Sequence, residues 1–140
     1  MRGAKPGIGS DKAALKDVAA APVWMSADAR AEWDRVMPIL VERKIMTIAD
    51  LAGFENYCVA TGTVREMERH LQEHGHVFEA MKMDNDGNLV TTGLKRNPAV
   101  GIQADAMTRA RLLAAELGLT PVSRSRPAIR DDDDDDSLVD

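Results

Sequence analysis

The sequence predicts a mainly α-helical core with long antiparallel helices and one inserted β-hairpin. Three observations lead there. Apolar residues make up 44% of the 140-residue chain but aromatics only 4%. Leu, Met and Ala must therefore fill most of the core, and they favour helix over strand. Apolar positions recur at three- and four-residue steps through most of residues 26–117, the period of a helix face. That pattern is broken once, at 76–95, by two extended runs flanking an Asp-Gly turn, a hairpin signature.

The elements follow in order. Residues 1 to about 10 read as a disordered basic arm, and Ser10-Asp11 offers a cap for a short helix through Ala20. Pro22 then breaks the chain. Ser26 suits an N-cap, and Asp28 and Glu32 sit early in the next helix, where its dipole favours acids. Ala29, Trp33, Val36, Met37 and Leu40 form its apolar face. Pro38 is expected to kink or split that helix near Met37. Thr47 opens a long helix with Asp50 three residues on, a capping-box variant, and Gly75 closes it. Such a helix would be roughly 40 Å long. Its apolar stripe, Ile48, Leu51, Phe54, Cys58, Val64, Met67 and Leu71, is widened by Tyr57, Val59 and Ala60. A stripe that broad predicts a second buried side, against another subunit. Gly62 either permits close helix approach or costs stability.

Asn97-Pro98 opens the last helix as N-cap and N1. Its face is Ala99, Ile102, Ala106, Ala110, Leu113 and Leu117, and Gly118 with Pro121 ends it. Three segments result: a flexible basic arm with a possible short helix (1–21), a helical core carrying the hairpin (22–121), and a disordered basic-then-acidic tail (122–140). Helices 47–74 and 98–117 are expected to pack antiparallel with 26–43 against them. Trp24, Trp33, Phe54, Leu71, Leu113 and Leu117 are expected to be buried in the protomer or between subunits.

Charge is segregated along the chain. The formal net charge of −5 includes seven carboxylates at Asp131–Asp136 and Asp140, without which the chain is +2. Residues 1–20 carry +2, residues 121–130 carry +3, and residues 21–120 carry −3. Mobile Lys and Arg neutralise phosphates and release counterions, giving affinity with little sequence reading. Arg2, Lys5, Lys12, Lys16, Arg124, Arg126 and Arg130 are therefore the DNA-contact candidates. A few charges per chain bind weakly, but a ring gathers many arms. The plainer alternative is tails that only aid solubility. Asp131, Asp132, Asp133, Asp134, Asp135 and Asp136, with Leu138 and Val139 beyond them, are the candidates for docking a partner, the acids steering the encounter.

Other chemistries find no pattern. Asp84, Asp86 and Asn88 mimic the start of a calcium loop, but Leu89 and Lys95 stand where Gly and Glu are needed. His70 and His74 share a helix face, yet Leu71 stands where a metalloprotease has Glu. Cys58 lies in a helical stripe as a small hydrophobe. Gly7 to Gly9 follows no strand and makes no phosphate loop. The expectation is no catalytic residues, no metal and no cofactor. Residues 26–60 have the lengths of a helix-turn-helix, which makes a transcriptional regulator the alternative function. Its reading helix would begin Thr47-Ile48-Ala49-Asp50, with acids facing phosphates, so a plain helical hairpin is favoured. Met1 to Gly9 lacks the apolar run of a signal peptide, and no stretch spans a bilayer. The expected location is the cytoplasm, without membrane contact.

Several blocks in order resemble the small subunit of bacteriophage terminase. They are Pro22-Val23-Trp24-Met25, then Ala29 with Trp33, then the helix–turn block from Leu40 to Asp50, with Met46 standing for the Leu of a Leu-Thr-x-x-Asp pattern. Tyr57-Cys58 and Gly75 follow, then Lys95-Arg96-Asn97-Pro98 and the run from Glu116 to Arg124. The resemblance spans about residues 22–126. It implies a non-enzymatic, ring-forming adaptor that recognises double-stranded viral DNA in the host bacterial cytoplasm and regulates the ATPase and nuclease of the large terminase subunit. Lys44 departs from the pattern, standing where Gly is common, and the hexa-aspartate tail is no family hallmark.

Overall fold

The computed structural model describes residues 13–125, and three helices and one hairpin account for most of them. Helix α1 is Ala27–Glu42, capped by the Ser26 side chain, which accepts from the Ala29 amide at 3.3 Å. A 3₁₀ turn at Ile48–Asp50 leads into α2, Leu51–His74. The Asp50 carboxylate accepts from both the amide and the hydroxyl of Thr47, each at 2.9 Å. Gly75, at φ 85°, ends α2. Strands β1 (Val77–Met83) and β2 (Leu89–Arg96) form the hairpin, and α3 runs Pro98–Glu116 from an Asn97 cap. The mainly helical class and the single hairpin agree with the sequence.

The helices stack as three antiparallel rods. Asn97 donates from Nδ2 to the Gly75 carbonyl, so α3 starts where α2 stops. Gln103 then reaches Val64 O and Glu68 of α2 at 3.3 and 2.8 Å. Helix α1 crosses the other side of α2, with Trp33 4.7 Å from Phe54 between ring centroids. Ala29, Trp33, Val36, Met37, Leu40, Met46, Phe54 and Cys58 form the buried centre, joined by Leu113 and Leu117 at its edge. Gly62 marks the tightest approach. A Cβ there would sit 2.7 Å from the Ala29 amide nitrogen, so the helices meet only because that carbon is missing.

Three expectations need correction. The short helix through Ala20 does not form among the described residues: 13–20 are irregular. The Leu15 amide instead donates to Met46 O at 2.7 Å, and Leu15 and Ala19 pack on the core. A stretch with so weak an apolar set gains more by lying on existing surface than by nucleating its own helix. Second, Pro38 does not split α1, which runs through it. Pro38 and Asp34 are both exposed, so the carbonyl freed by the missing N–H meets water. Third, the polar region expected from 122 starts helically: 121–125 form a turn in which Thr120 and Ser123 cap each other reciprocally. Trp24 is 62% exposed in the protomer, which leaves the subunit interface as the place of its expected burial.

The turn between α1 and α2 explains the departure at Lys44. Its φ is 57°, making it the one non-glycine residue with positive φ among those described. That left-handed position follows a helix C-cap, where Gly is preferred because a Cβ is strained there.

Candidate functional site

Sequence reasoning missed the most heavily constrained polar group among the described residues. Glu32 lies on the apolar face of α1, between Ala29 and Val36, and is fully buried. Its carboxylate accepts from Tyr57 Oη at 2.7 Å, from Arg65 at 2.7 Å and from Arg35 Nε at 3.0 Å, with a second Arg35 bond. Burial by itself raises a carboxyl pKa, but the bonds from Arg35, Tyr57 and Arg65 outweigh it and hold Glu32 down at about 2. Burial and the bond to Glu32 raise the Tyr57 phenol, which stays neutral and donates. One turn earlier, Arg69 pairs with Asp28, again joining α2 to α1. The signal was present in the spacing: an acid in an apolar stripe requires partners.

The remaining chemistry is structural. Burial first, then the Glu32 carboxylate, push the Cys58 thiol up to about 12, so it is the small hydrophobe expected and not a nucleophile. Asp84 Oδ1 accepts from the amides of Asp86 and Asn88 at 3.0 and 2.8 Å, fastening the hairpin turn. His70 and His74 lie with ring centroids 4.5 Å apart. No three His, Cys, Asp or Glu side chains are grouped to hold a metal among the described residues.

Among the DNA-contact candidates, Lys16 and Arg124 are described. Arg2, Lys5, Lys12, Arg126 and Arg130 lie outside the described residues, as do Asp131 to Asp136, Leu138 and Val139. Lys16 is exposed and follows Leu15, which is bonded to Met46. Arg124 and Met46 line one cavity of about 550 Å³ with Arg43, Asp50 and Glu116. The fold thus brings both candidates to one end of the stack, beside the α1–α2 turn. Arg43, which sequence reasoning passed over, braces that end by donating to Gly118 O at 3.3 Å. The hairpin leaves from the opposite end, about 36 Å away along α2.

The 3₁₀ turn that leads into α2 presents exposed Ile48, and its Asp50 carboxylate accepts from Thr47. That arrangement is in keeping with the favoured plain helical hairpin.

A family model described as phage terminase, small subunit, matches residues 29–134. The chain belongs to the phage terminase small-subunit family. Searches of curated proteins and of solved structures gave no match. Family membership places this small terminase subunit in phage genome packaging, a role in which the small subunit is in general the DNA-binding, regulatory component rather than the catalytic one. No helix among the described residues is long and apolar enough to cross a membrane.

Proposed function

We propose that this small terminase subunit assembles with copies of itself into a ring, grips double-stranded viral DNA through its basic chain ends in the host cytoplasm, and regulates the ATPase and nuclease of the large terminase subunit. The family match over residues 29–134 carries the reading. Two features support it. Exposed apolar side chains remain along α2, α3 and the hairpin, including Val59, Ile102, Met107 and Leu112, more than a lone protomer has reason to keep. Lys16 and Arg124 lead toward the basic segments 1–12 and 126–130 from the same end, so a ring would gather all arms on one face.

The grip is electrostatic in this reading. Each phosphate neutralised steepens the salt dependence of affinity. Asp131 to Asp136 with Leu138 and Val139 would dock the large subunit, the acids speeding encounter and the apolar pair holding.

Light scattering and DNA titration test the core of it. The chain is expected to run as a large oligomer at micromolar concentration and to bind duplex DNA in low salt. A lone protomer indifferent to DNA would refute the reading. Removal of residues 131–140 tests the docking role: stimulation of the large subunit's ATPase is expected to fall, and unchanged stimulation discards the tail.

A further inference from the structure

We propose that the β-hairpin is the arm by which one copy holds the next, its apolar face lodging in the groove between α2 and α3 of the neighbouring copy. This rests on the ring reading above and assigns its contact.

One face of the hairpin carries five large apolar side chains against two on the other, and a bulge makes it so. Paired residues in a ladder share a face. Ala80 pairs with Gly93 but Met81 pairs with Thr91, leaving Thr92 as an extra residue in β2. In an unbulged strand Leu89 and Leu94, an odd and an even position, would point to opposite faces. The bulge puts both on the face of Val77, Met81 and Met83. Gly93 at φ 125° and the Thr92 hydroxyl donating to Ala80 O accommodate it. The opposite face carries Lys82 and Lys95 with the more sheltered Phe78 and Val90.

Nothing among the described residues covers the apolar face. Its five large side chains are 53 to 72% exposed, and neither strand packs appreciably on a helix. Together they leave on the order of 500 Å² of apolar surface, the size of the largest patch on a typical monomer, and such patches are often functional. A two-stranded hairpin alone is marginal in water, so the strands need a partner to be as regular as they are. Five large apolar side chains supply most of the roughly 800 Å² per partner of a standard interface.

The second patch on the same protomer identifies the occupant. Val59, Ala60, Ile102, Ala106, Leu112 and Leu113 line a groove of about 710 Å³ between α2 and α3. Asp105, Arg109 and Glu116 stand at the same groove, and the hairpin face carries one base, Arg96, and one acid, Glu79. Each hairpin charge therefore finds an opposite. A face that met itself would close a pair. Two different patches, one projecting and one recessed, join copies head to tail, the kind of contact from which a ring is built when the rotation between copies closes.

The test uses two defective chains. Met81→Glu with Leu94→Glu spoils the hairpin face, and Ile102→Glu with Leu112→Glu spoils the groove. All four positions are exposed in the protomer, and an unchanged far-ultraviolet helical signal verifies folding. Each double variant alone is expected to scatter light as a single chain at a concentration where the parent chain is a ring. Mixed one to one, they are expected to form two-chain complexes and nothing larger, because one intact hairpin meets one intact groove. A hairpin variant that still forms rings overturns the proposal while leaving ring assembly standing. Mixtures that stay single chains overturn the groove as the hairpin's seat. A parent chain that is itself monomeric removes the ring reading, and this proposal with it.

Discussion

Arg65 of α2 reaches across 2.7 Å to the Glu32 carboxylate of α1, and both lie one turn from the Arg69–Asp28 pair. Two acids on one helix are thus fastened by two bases on the next, one pair buried at the acid and one at the surface. The inner pair sets how the protein responds to acid.

Glu32 is depressed to about 2 from an ordinary 4.5. Its bonds therefore stabilise the fold fully above about pH 4.5, and that contribution drains away as the pH falls toward 2. Glu32→Gln is expected to lose about 3 kcal/mol at pH 7, where removing one member of a buried ion cluster strands the others. The variant should also lose much less stability than the parent between pH 5 and pH 3. Urea denaturation at the three pH values checks both, and parallel acid limbs would show that Glu32 is not the group concerned.

Gly62→Ala places a carbon 2.7 Å from the Ala29 nitrogen. Alanine favours helix over glycine by about 1 kcal/mol, yet the α1–α2 separation must widen. A net loss of about 1–3 kcal/mol is expected, the usual result of overpacking. A thermal melt higher than the parent's contradicts the close approach.

Lys44→Gly is expected to act in the other direction. It removes the cost of a Cβ at φ 57°, about 1 kcal/mol, against a smaller loss from the added freedom of glycine in the unfolded chain. A slightly raised denaturation midpoint with an unchanged slope is the expected result, and Lys44→Val should lower it.

Cys58 should react slowly with thiol reagents. With its thiol pushed up to about 12 and no surface of its own, native protein at pH 8 is expected to react at least ~10-fold more slowly than denatured protein. Equal rates would mean that α2 opens readily around it.

Arg124→Ala, Arg126→Ala and Arg130→Ala together should flatten the salt dependence of duplex binding. Each lost phosphate contact removes about 0.9 from the slope of log affinity against log salt. A uniform weakening across DNA sequences is expected; loss confined to one sequence would mean base reading instead.

Much of this architecture was legible in the residues. Helical spacing located α1, α2 and α3, Asp86-Gly87 located the hairpin, and Asn97-Pro98 located the start of α3 to the residue. Those signals are local, set within one or two turns of chain. What escaped depends on distant partners. Glu32 needed Arg65, 33 positions away, so it read as a dipole acid. Residues 13–20 needed Met46 before they had anywhere to lie. The extra residue at Thr92 is invisible to a period-two reading, which assigned two runs without saying which side chains share a face. For the candidate site, charge segregation pointed to both chain ends, and the fold sets Leu15, the neighbour of Lys16, and Arg124 beside Met46. The groove between α2 and α3 belongs to no single stretch of sequence.

Leu15 and Arg124 both end up beside Met46, while Gly87 turns the chain at the far end. The order in which the helices are threaded is therefore nearly free of the shape they make. A circular permutant of residues 13–125, with a short linker joining residue 125 to residue 13 and new termini cut at the hairpin tip, is expected to keep the helix contacts and alter only the projecting ribbon.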